Sequence, residues 1–286
     1  MSSPQETKEY KGNCHCGLFK FTISVPELKS VRVCDCSYCY RKGTPWVFPA
    51  GDLKIQSGEN ELSTYQFGKK ELLHSFCPKC GNTMIAKHLP SGIQGINARL
   101  LQSVDLNLLA KIKYEEGPSG ETYGSKYTPP STYPVPSAAK NIETSVEGVK
   151  LETFNGNCHC GAVAYTLVSK PLNERKIISC NCSLCYRSAE IYTYPPASSI
   201  TMIGKENLAG YAFLTSDSLH SFCKVCGTSV CVQVLNENED LMPLNLRTVM
   251  SGVNVKDLQI EEYDGAKNDP LYVDPWARGQ DLSLAV

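Results

Sequence analysis

The chain has 286 residues, which suggests about two domains, and its charge is nearly balanced, with 28 Lys and Arg against 29 Asp and Glu. This balance argues against a broad electrostatic surface for nucleic acid, and no run of about 18 apolar residues is present that would span a membrane. Residues 1–11 are polar and lack the apolar core of a signal peptide. We therefore expect a reducing compartment, the cytoplasm or also the nucleus, where closely spaced cysteines more often bind metal than form disulfides.

The local patterns favour strands along most of the chain. Short β-prone runs recur in chain order, each bounded by turn residues, at positions 19–23, 53–55, 64–67, 83–86, 163–167, 200–203, 210–213 and 229–234. Helical periodicity is thin, and residues 104–109 fit either a short helix or a turn. The sequence thus predicts a mainly β protein with few short helices.

One pattern occurs twice. The segment GNCHCG at 12–17 recurs at 156–161, and the clusters that follow recur after a two-residue insertion. Between the copies lies a Pro-rich stretch that cannot build a regular helix or a central strand. We therefore expect a first domain over residues 10–124, a Pro-rich linker over 125–152, a second domain over 153–270 and a C-terminal tail over 271–286.

Fourteen of the fifteen cysteines belong to the repeat, seven in each copy. A closed zinc site takes four sulfur ligands, whereas an open site takes three and leaves a position for water or substrate. Two knuckles from distant sequence can close the first kind of site, and a CxCxxC segment offers three sulfurs for the second, unless another side chain supplies a fourth ligand. The count predicts up to two zinc ions per domain and four per chain. Cys231 remains outside the pattern and is expected to be a small buried apolar residue.

Several polar residues beside the cysteines are further candidates. His15 and His159 stand inside the CxC knuckles, where hydrogen bonding or a surface position is favoured over metal ligation. His74 and His220 precede the CxxC knuckles, where structural hydrogen bonding is favoured over a proton relay. Exposed charge is favoured over recognition of a substrate carboxylate for four arginines, Arg41, Arg99, Arg187 and Arg247.

The combined order of motifs is more specific than any single knuckle. It reads G-x-C-x-C-G, C-x-C-S-x-C, [SG]-x-x-x-L-x-x-Y-x-F and F-C-x-x-C-G, at 12–17, 34–39, 58–67 and 76–81, and again at 156–161, 180–185, 204–213 and 222–227. This order resembles that of the glutathione-dependent formaldehyde-activating enzyme and centromere protein V family, over both repeats. The interposed Tyr40 and Tyr186, directly after the third cysteine of each CxCxxC segment, depart from the enzyme pattern.

The resemblance implies two tandem β-tent zinc domains. It assigns the outer knuckles to structural zinc, namely Cys14, Cys16, Cys77 and Cys80, and Cys158, Cys160, Cys223 and Cys226. It assigns the inner segments to catalytic zinc, namely Cys34, Cys36 and Cys39, and Cys180, Cys182 and Cys185. The implied activity is that of S-(hydroxymethyl)glutathione synthase, a zinc-dependent carbon–sulfur lyase whose small-molecule substrate is a glutathione–formaldehyde adduct.

Three alternatives stay open at this point. The same fold and metal can act on another small molecule, for example in a biosynthetic pathway. The chain can be a non-catalytic zinc-binding interaction module, although it lacks the basic tails that nucleic-acid binding would favour. One domain can be active and the other degenerate.

Overall fold

A computed structural model describes residues 6–113, 127–136, 150–213, 215–236, 240–250, 255–268 and 272–276. The described residues form two sheet-rich halves with short helices, which confirms the predicted mainly β class. The first half contains strands and one α-helix in this order: β1 Thr7–Asn13, β2 Lys20–Pro26, β3 Ser30–Val33, α1 Ser37–Lys42, β4 Pro45–Val47, β5 Asp52–Ser57, β6 Ser63–Tyr65, β7 Leu72–Phe76, β8 Thr83–His88, β9 Gln94–Asn97 and β10 Ala110–Lys113.

The second half repeats this order element by element. Its strands and helix are β11 Glu152–Asn157, β12 Ala164–Ser169, β13 Ile177–Cys180, α2 Ser183–Ser188, β14 Ile191–Thr193, β15 Ile200–Ile203, β16 Leu208–Phe213, β17 Thr215–Cys223, β18 Ser229–Val234, β19 Leu244–Asn245 and β20 Glu261–Tyr263. Residues 104–109, which fit either a helix or a turn in the sequence, are turn.

The two halves share one sheet topology. Among the described residues, each half has a three-stranded sheet, ordered β1-β2-β5 and β11-β12-β15, and a seven-stranded sheet. The larger sheets run β10-β3-β4-β9-β8-β7-β6 and β20-β13-β14-β19-β18-β17-β16. Both end in a parallel pair, β10 with β3 and β20 with β13. The duplication therefore extends to the edge strands that follow the last cysteine knuckle.

Each half encloses its own apolar core between the two sheets. In the first half, Phe21 and Ile23 from β2 meet Met84 from β8 and Ile96 from β9, all fully buried. Full burial of such a side chain stabilises the folded state by about 1.5–3 kcal/mol relative to exposure. Cys231 is fully buried in the corresponding core of the second half, which confirms its predicted apolar role.

The halves are joined by side chains that cross from one to the other. The guanidinium of Arg99 donates to the Gly43 and Tyr186 carbonyls, and that of Arg247 donates to the Ala189 and Tyr40 carbonyls. These carbonyls lie at the ends of α1 and α2, where helices leave unpaired oxygens. The prediction of exposed charge at Arg99 and Arg247 is therefore wrong, because both side chains satisfy helix ends at the interface between the halves.

Two described segments outside the strands also repeat each other. Tyr127 donates its hydroxyl to the His159 carbonyl, and Asn157 Nδ2 donates to that same hydroxyl oxygen. In the C-terminal segment, Asn13 Nδ2 donates to the Tyr272 hydroxyl. The segment 127–136 thus lies on the second half, and the segment 272–276 lies on the first. The described part of the chain contains no helix with the length and apolar character that a membrane crossing requires.

Candidate metal centres

The fourteen repeat cysteines form four groups of neighbouring sulfurs. In each group the sulfur atoms all lie within 4.8 Å of one another, and two groups hold four sulfurs: Cys14, Cys16, Cys77 and Cys80, and Cys158, Cys160, Cys223 and Cys226. Their Sγ–Sγ distances of 3.5 and 3.6 Å fit a tetrahedral zinc with Zn–S bonds of about 2.3 Å, whose sulfurs lie about 3.8 Å apart. The donor set and spacing therefore fit a closed four-thiolate zinc site.

The other two groups hold three sulfurs: Cys34, Cys36 and Cys39, and Cys180, Cys182 and Cys185. No other histidine, cysteine or carboxylate of the described residues joins either group within that distance. The donor chemistry fits zinc with three protein ligands and one open coordination position. Both groups gather at the beginning of a six-residue helix, α1 or α2.

The helices explain how three sulfurs converge over so short a segment. Cys36 is the residue that caps α1, and its Sγ accepts a hydrogen bond from the Cys39 backbone N–H at 3.2 Å. Cys34 Sγ accepts from the Cys36 N–H at 3.4 Å, and Cys180 Sγ accepts from the Cys182 N–H at the same distance. The backbone turn therefore aims successive sulfurs at one point.

One sulfur in each three-cysteine group is prepared as a thiolate. Hydrogen bonds from the Cys36 and Cys39 thiols lower the pKa of Cys34 to about 4, despite its burial. In the second half, hydrogen bonds from Cys182 and Cys185 lower the pKa of Cys180 to about 3. A deprotonated sulfur is the form that coordinates metal. Both groups thus present a metal-ready sulfur on their more exposed side.

The first three-cysteine group lies against aromatic rings. Trp46 Nε1 donates to Cys39 Sγ at 3.4 Å, and the His74 ring packs 4.5 Å from Tyr38 and 5.6 Å from Phe67, centroid to centroid. Neither ring nitrogen of His74 has a hydrogen-bond partner in the described part of the chain. Burial lowers the pKa of His74 to about 3, so the ring is neutral. The predicted hydrogen-bonding role of His74 is therefore wrong.

The second three-cysteine group faces a charged network instead. His220 Nδ1 lies 3.4 Å from the Tyr192 hydroxyl and 3.4 Å from Glu190 Oε2, and Ser229 Oγ donates to Glu190 Oε1. Burial raises the pKa of Glu190, but the His220 imidazole and the Ser229 hydroxyl outweigh it, and the net shift is downward. Sequence reasoning missed Glu190, although an acidic residue directly before the apolar strand β14 was the available signal.

The knuckle histidines reach across to the opposite half. His15 Nε2 lies 2.9 Å from Ser183 Oγ, and its Nδ1 lies 2.8 Å from the Tyr211 hydroxyl. His159 makes the same pair of contacts in the first half, at 2.9 Å and 2.8 Å, with the hydroxyls of Ser37 and Tyr65. Burial lowers the pKa of His15 to about 3 and that of His159 to about 4. Both are therefore neutral hydrogen-bonding groups, and neither belongs to a sulfur group.

The arginine that follows each three-cysteine group contacts backbone carbonyls and a tyrosine ring of the protein. Arg41 is 2% exposed, donates to the Ser37 and Asn157 carbonyls, and lies over the Tyr127 ring at 4.3 Å. The prediction of exposed charge at Arg41 is wrong, because these contacts hold its guanidinium inside the interface. Arg187 makes the equivalent contact with the Ser183 carbonyl and lies over the Tyr272 ring.

Comparison with known proteins agrees with this geometry. Residues 9–107 and 153–260 match the family described as glutathione-dependent formaldehyde-activating enzyme. These two segments exceed half of the chain, and the chain belongs to this family, with its domain present twice. A crystal structure of a Rhodobacter sphaeroides protein is 30% identical, over 36% of this chain and 97% of that chain, with a TM-score of 0.33. The family resemblance drawn from the motifs is confirmed.

Proposed function

We propose that the protein is a zinc-dependent carbon–sulfur lyase that makes and breaks thiol–aldehyde adducts, with glutathione and formaldehyde as the lead pair. The observation that carries this proposal is a three-sulfur group beside a separately completed four-sulfur group in each half. Family membership supports the choice of substrates. The outer groups would hold structural zinc, and the inner groups would hold zinc that accepts a guest.

The reaction is a reversible addition. The thiol sulfur forms a bond to the carbonyl carbon, the carbonyl π bond breaks, and the thiol proton is transferred to the oxygen to give a hydroxymethyl thioether. Nothing is oxidised or reduced. Zinc held by three thiolates would supply a Lewis acid that lowers the pKa of the guest thiol. The remaining task, moving one proton from sulfur to oxygen, belongs to the side chains beside the inner sulfur groups.

The second half contains groups suited to that proton transfer. His220 lies between the Tyr192 hydroxyl and the Glu190 carboxylate, and an imidazole in contact with two oxygen groups is suited to general acid–base work. Tyr192 packs in the same apolar cluster as Cys182 and Cys185, which joins this network to the sulfur group. We assign His220 the proton-carrying role at the second inner group and Glu190 the role of orienting it.

The test is an exchange measurement on zinc-loaded protein. Carbon-13 formaldehyde and glutathione are mixed with and without the protein, and NMR exchange spectroscopy reports the exchange rate that the protein adds. We expect the protein to accelerate exchange, and a Cys36→Ser, Cys182→Ser double variant to lose that acceleration. This variant is a matched control because both outer groups keep their four sulfurs.

The outcome separates the substrate classes. Acceleration that disappears in the double variant supports the proposal. Exchange at the uncatalysed rate with glutathione, but acceleration with other small thiols or carbonyls, would move the assignment to another small molecule. Exchange at the uncatalysed rate with every pair tested, in protein that holds four zinc ions per chain, would overturn the enzymatic assignment.

A further inference from the structure

The two knuckle histidines divide their contacts between the halves. The backbone N–H of His15 donates to Asn82 Oδ1 at 2.8 Å, within its own half, and the backbone N–H of His159 donates to Thr228 Oγ1 at 3.4 Å, also within its own half. Their side chains point the other way and bond only across the interface among the hydrogen bonds of the described residues. A change confined to the imidazole therefore leaves the local backbone contact in place.

Each imidazole bonds to the segment that carries the opposite sulfurs. Ser183, which His15 contacts, lies between Cys182 and Cys185 in sequence and is the first residue of α2. Ser37, which His159 contacts, holds the same position in α1 between Cys36 and Cys39. The second ring nitrogen of each histidine bonds to a tyrosine on the edge strand of the opposite half, Tyr211 on β16 or Tyr65 on β6. The imidazole therefore links the sulfur-bearing helix to the sheet.

Burial and packing hold both histidines in this position. His15 is 3% exposed and His159 is 4% exposed. The Tyr272 ring lies 4.7 Å from His15, and the Tyr127 ring lies 5.0 Å from His159, each from a segment that follows the last strand of a repeat. The same arrangement occurs twice from different stretches of sequence, which argues against a coincidental contact.

We propose that His15 is a positioning residue for the three-cysteine group of the second half, and that His159 is one for the group of the first half. Each inner site is thus completed by the opposite repeat, and neither half holds a complete site alone. This inference goes beyond the proposed function, because it concerns how the sulfur groups are built and holds whether or not the chain catalyses adduct formation.

A crossed set of variants in the full-length chain tests the assignment. Cys36→Ser leaves the second inner group as the intact three-sulfur site, and Cys182→Ser leaves the first. Serine is a preferred N-cap residue, and its hydroxyl can take over the capping bond that Cys36 Sγ accepts in α1, whereas Cys182 makes no such bond in α2. Cobalt(II) is the probe, because its d–d absorption in thiolate ligands reports affinity for the remaining inner group while the outer groups are filled first.

We expect His15→Ala to weaken cobalt affinity about 10- to 100-fold in the Cys36→Ser background and to leave it unchanged in the Cys182→Ser background. His159→Ala should give the reverse pattern. An effect of His15→Ala on the group of its own half, or an equal effect on both, would overturn the proposal, because it would indicate a local role beside the outer knuckle.

Conservative variants separate hydrogen bonding from packing. His15→Gln can still bond to Ser183 and is expected to recover part of the affinity, whereas His15→Phe fills the space and is expected to behave like alanine. Ser183→Ala should reproduce the loss and should not add to that of His15→Ala. Full affinity in His15→Phe would reject positioning through Ser183.

The result also stands apart from the turnover assay. A crossed cobalt pattern without accelerated exchange would retain this inference and refute the proposed function. Accelerated exchange without a crossed cobalt pattern would support the proposed function and refute this inference. The absorption of the outer groups and the far-ultraviolet circular dichroism of each variant show that the fold is intact.

Discussion

Each inner site has three sulfurs, a short helix and a histidine that reaches in from the opposite half. The two sites differ in the residues that pack against the sulfurs. Where the second site has Glu190 and Tyr192, the first has Thr44 and Trp46 at the matching positions of the repeat. Aromatic side chains therefore pack on the first group, whereas a buried carboxylate lies near the second. The two repeats have the same arrangement of sulfurs and differ in the side chains around it.

The matched histidines show the consequence. His220 has a carboxylate and a hydroxyl beside Nδ1, whereas His74 has no hydrogen-bond partner in the described residues. An unsatisfied buried polar group costs about 1–3 kcal/mol, and among the described residues both sites contain such atoms, the ring nitrogens of His74 at the first and Glu190 Oε2 at the second. The proposed proton-carrying role therefore applies to His220 and not to His74, and four predictions test this difference between the sites.

The largest effect on stability is expected from the outer groups. Without the outer group of the second half, that half would unfold and its inner site could no longer be compared with the first. Cys223→Ser takes one of four sulfurs from a site of the kind that contributes about 10–16 kcal/mol in small zinc domains. We expect the second half to unfold, because Cys223 ends the strand that carries His220. Elemental analysis and thermal unfolding check this. Cys182→Ser is the matched variant, and it should lose one zinc ion while keeping the fold.

The next effect isolates the carboxylate. In the Cys36→Ser background, Glu190→Gln should lower the exchange rate at saturating thiol by about 100-fold, because it removes the carboxylate that orients His220, and a general acid–base group such as the one proposed there contributes about 10²–10⁴-fold. Glutamine keeps the size of the side chain and removes its charge. The matched change is Thr44→Val in the Cys182→Ser background, where we expect no comparable loss. An equal response of the two sites would contradict the assigned difference.

The sequence predicted the features that depend on local pattern. Strand positions, the repeat and the partition of the cysteines into fours and threes follow from spacing, and the structure has the strands and the sulfur groups in those places. The positions of helices α1 and α2 were not predicted, because six residues are too few for helical periodicity to appear. The hydrogen bonds of Cys36 and of Gly43, at φ 53°, define α1 more than its composition does.

Other features that were missed depend on contact between the halves. Arginine is usually a surface residue, and contacts with the opposite repeat help to enclose Arg41, which is buried, and Arg247, which is half-buried. Tyr40 departs from the family pattern because it packs against the core of the second half and accepts a hydrogen bond from the Val255 N–H. No spacing within one repeat encodes such a partner.

Acid should also distinguish the sites through His74. Burial lowers its pKa from 6.5 to about 3. Below pH 6.5, His74 therefore binds a proton in the unfolded chain but not in the folded chain. Stability is therefore lost as pH falls from about 6.5 toward 3, by about 2 kcal/mol between pH 7 and pH 5. His74→Phe should lack this contribution. Denaturant unfolding at both pH values checks it, with zinc content measured in parallel. Equal pH dependence of variant and wild type would contradict a neutral buried His74.

The smallest effect concerns the point where the ends of the two helices meet. Gly43 ends α1 at φ 53°, and Ala189 ends α2 at φ 54°. A β-carbon on residue 43 would lie 2.5 Å from Ala189 Cβ, so Gly43→Ala forces the halves apart. Adding Ala189→Gly removes the obstructing methyl and relieves a left-handed alanine, and the double variant should recover about 1–2 kcal/mol of unfolding free energy. Denaturant titration of the two single variants and the double variant gives this coupling. If the changes in unfolding free energy of the two single variants simply add in the double variant, the two helix ends do not press on each other. The contact between these helix ends would then not link the two inner sites.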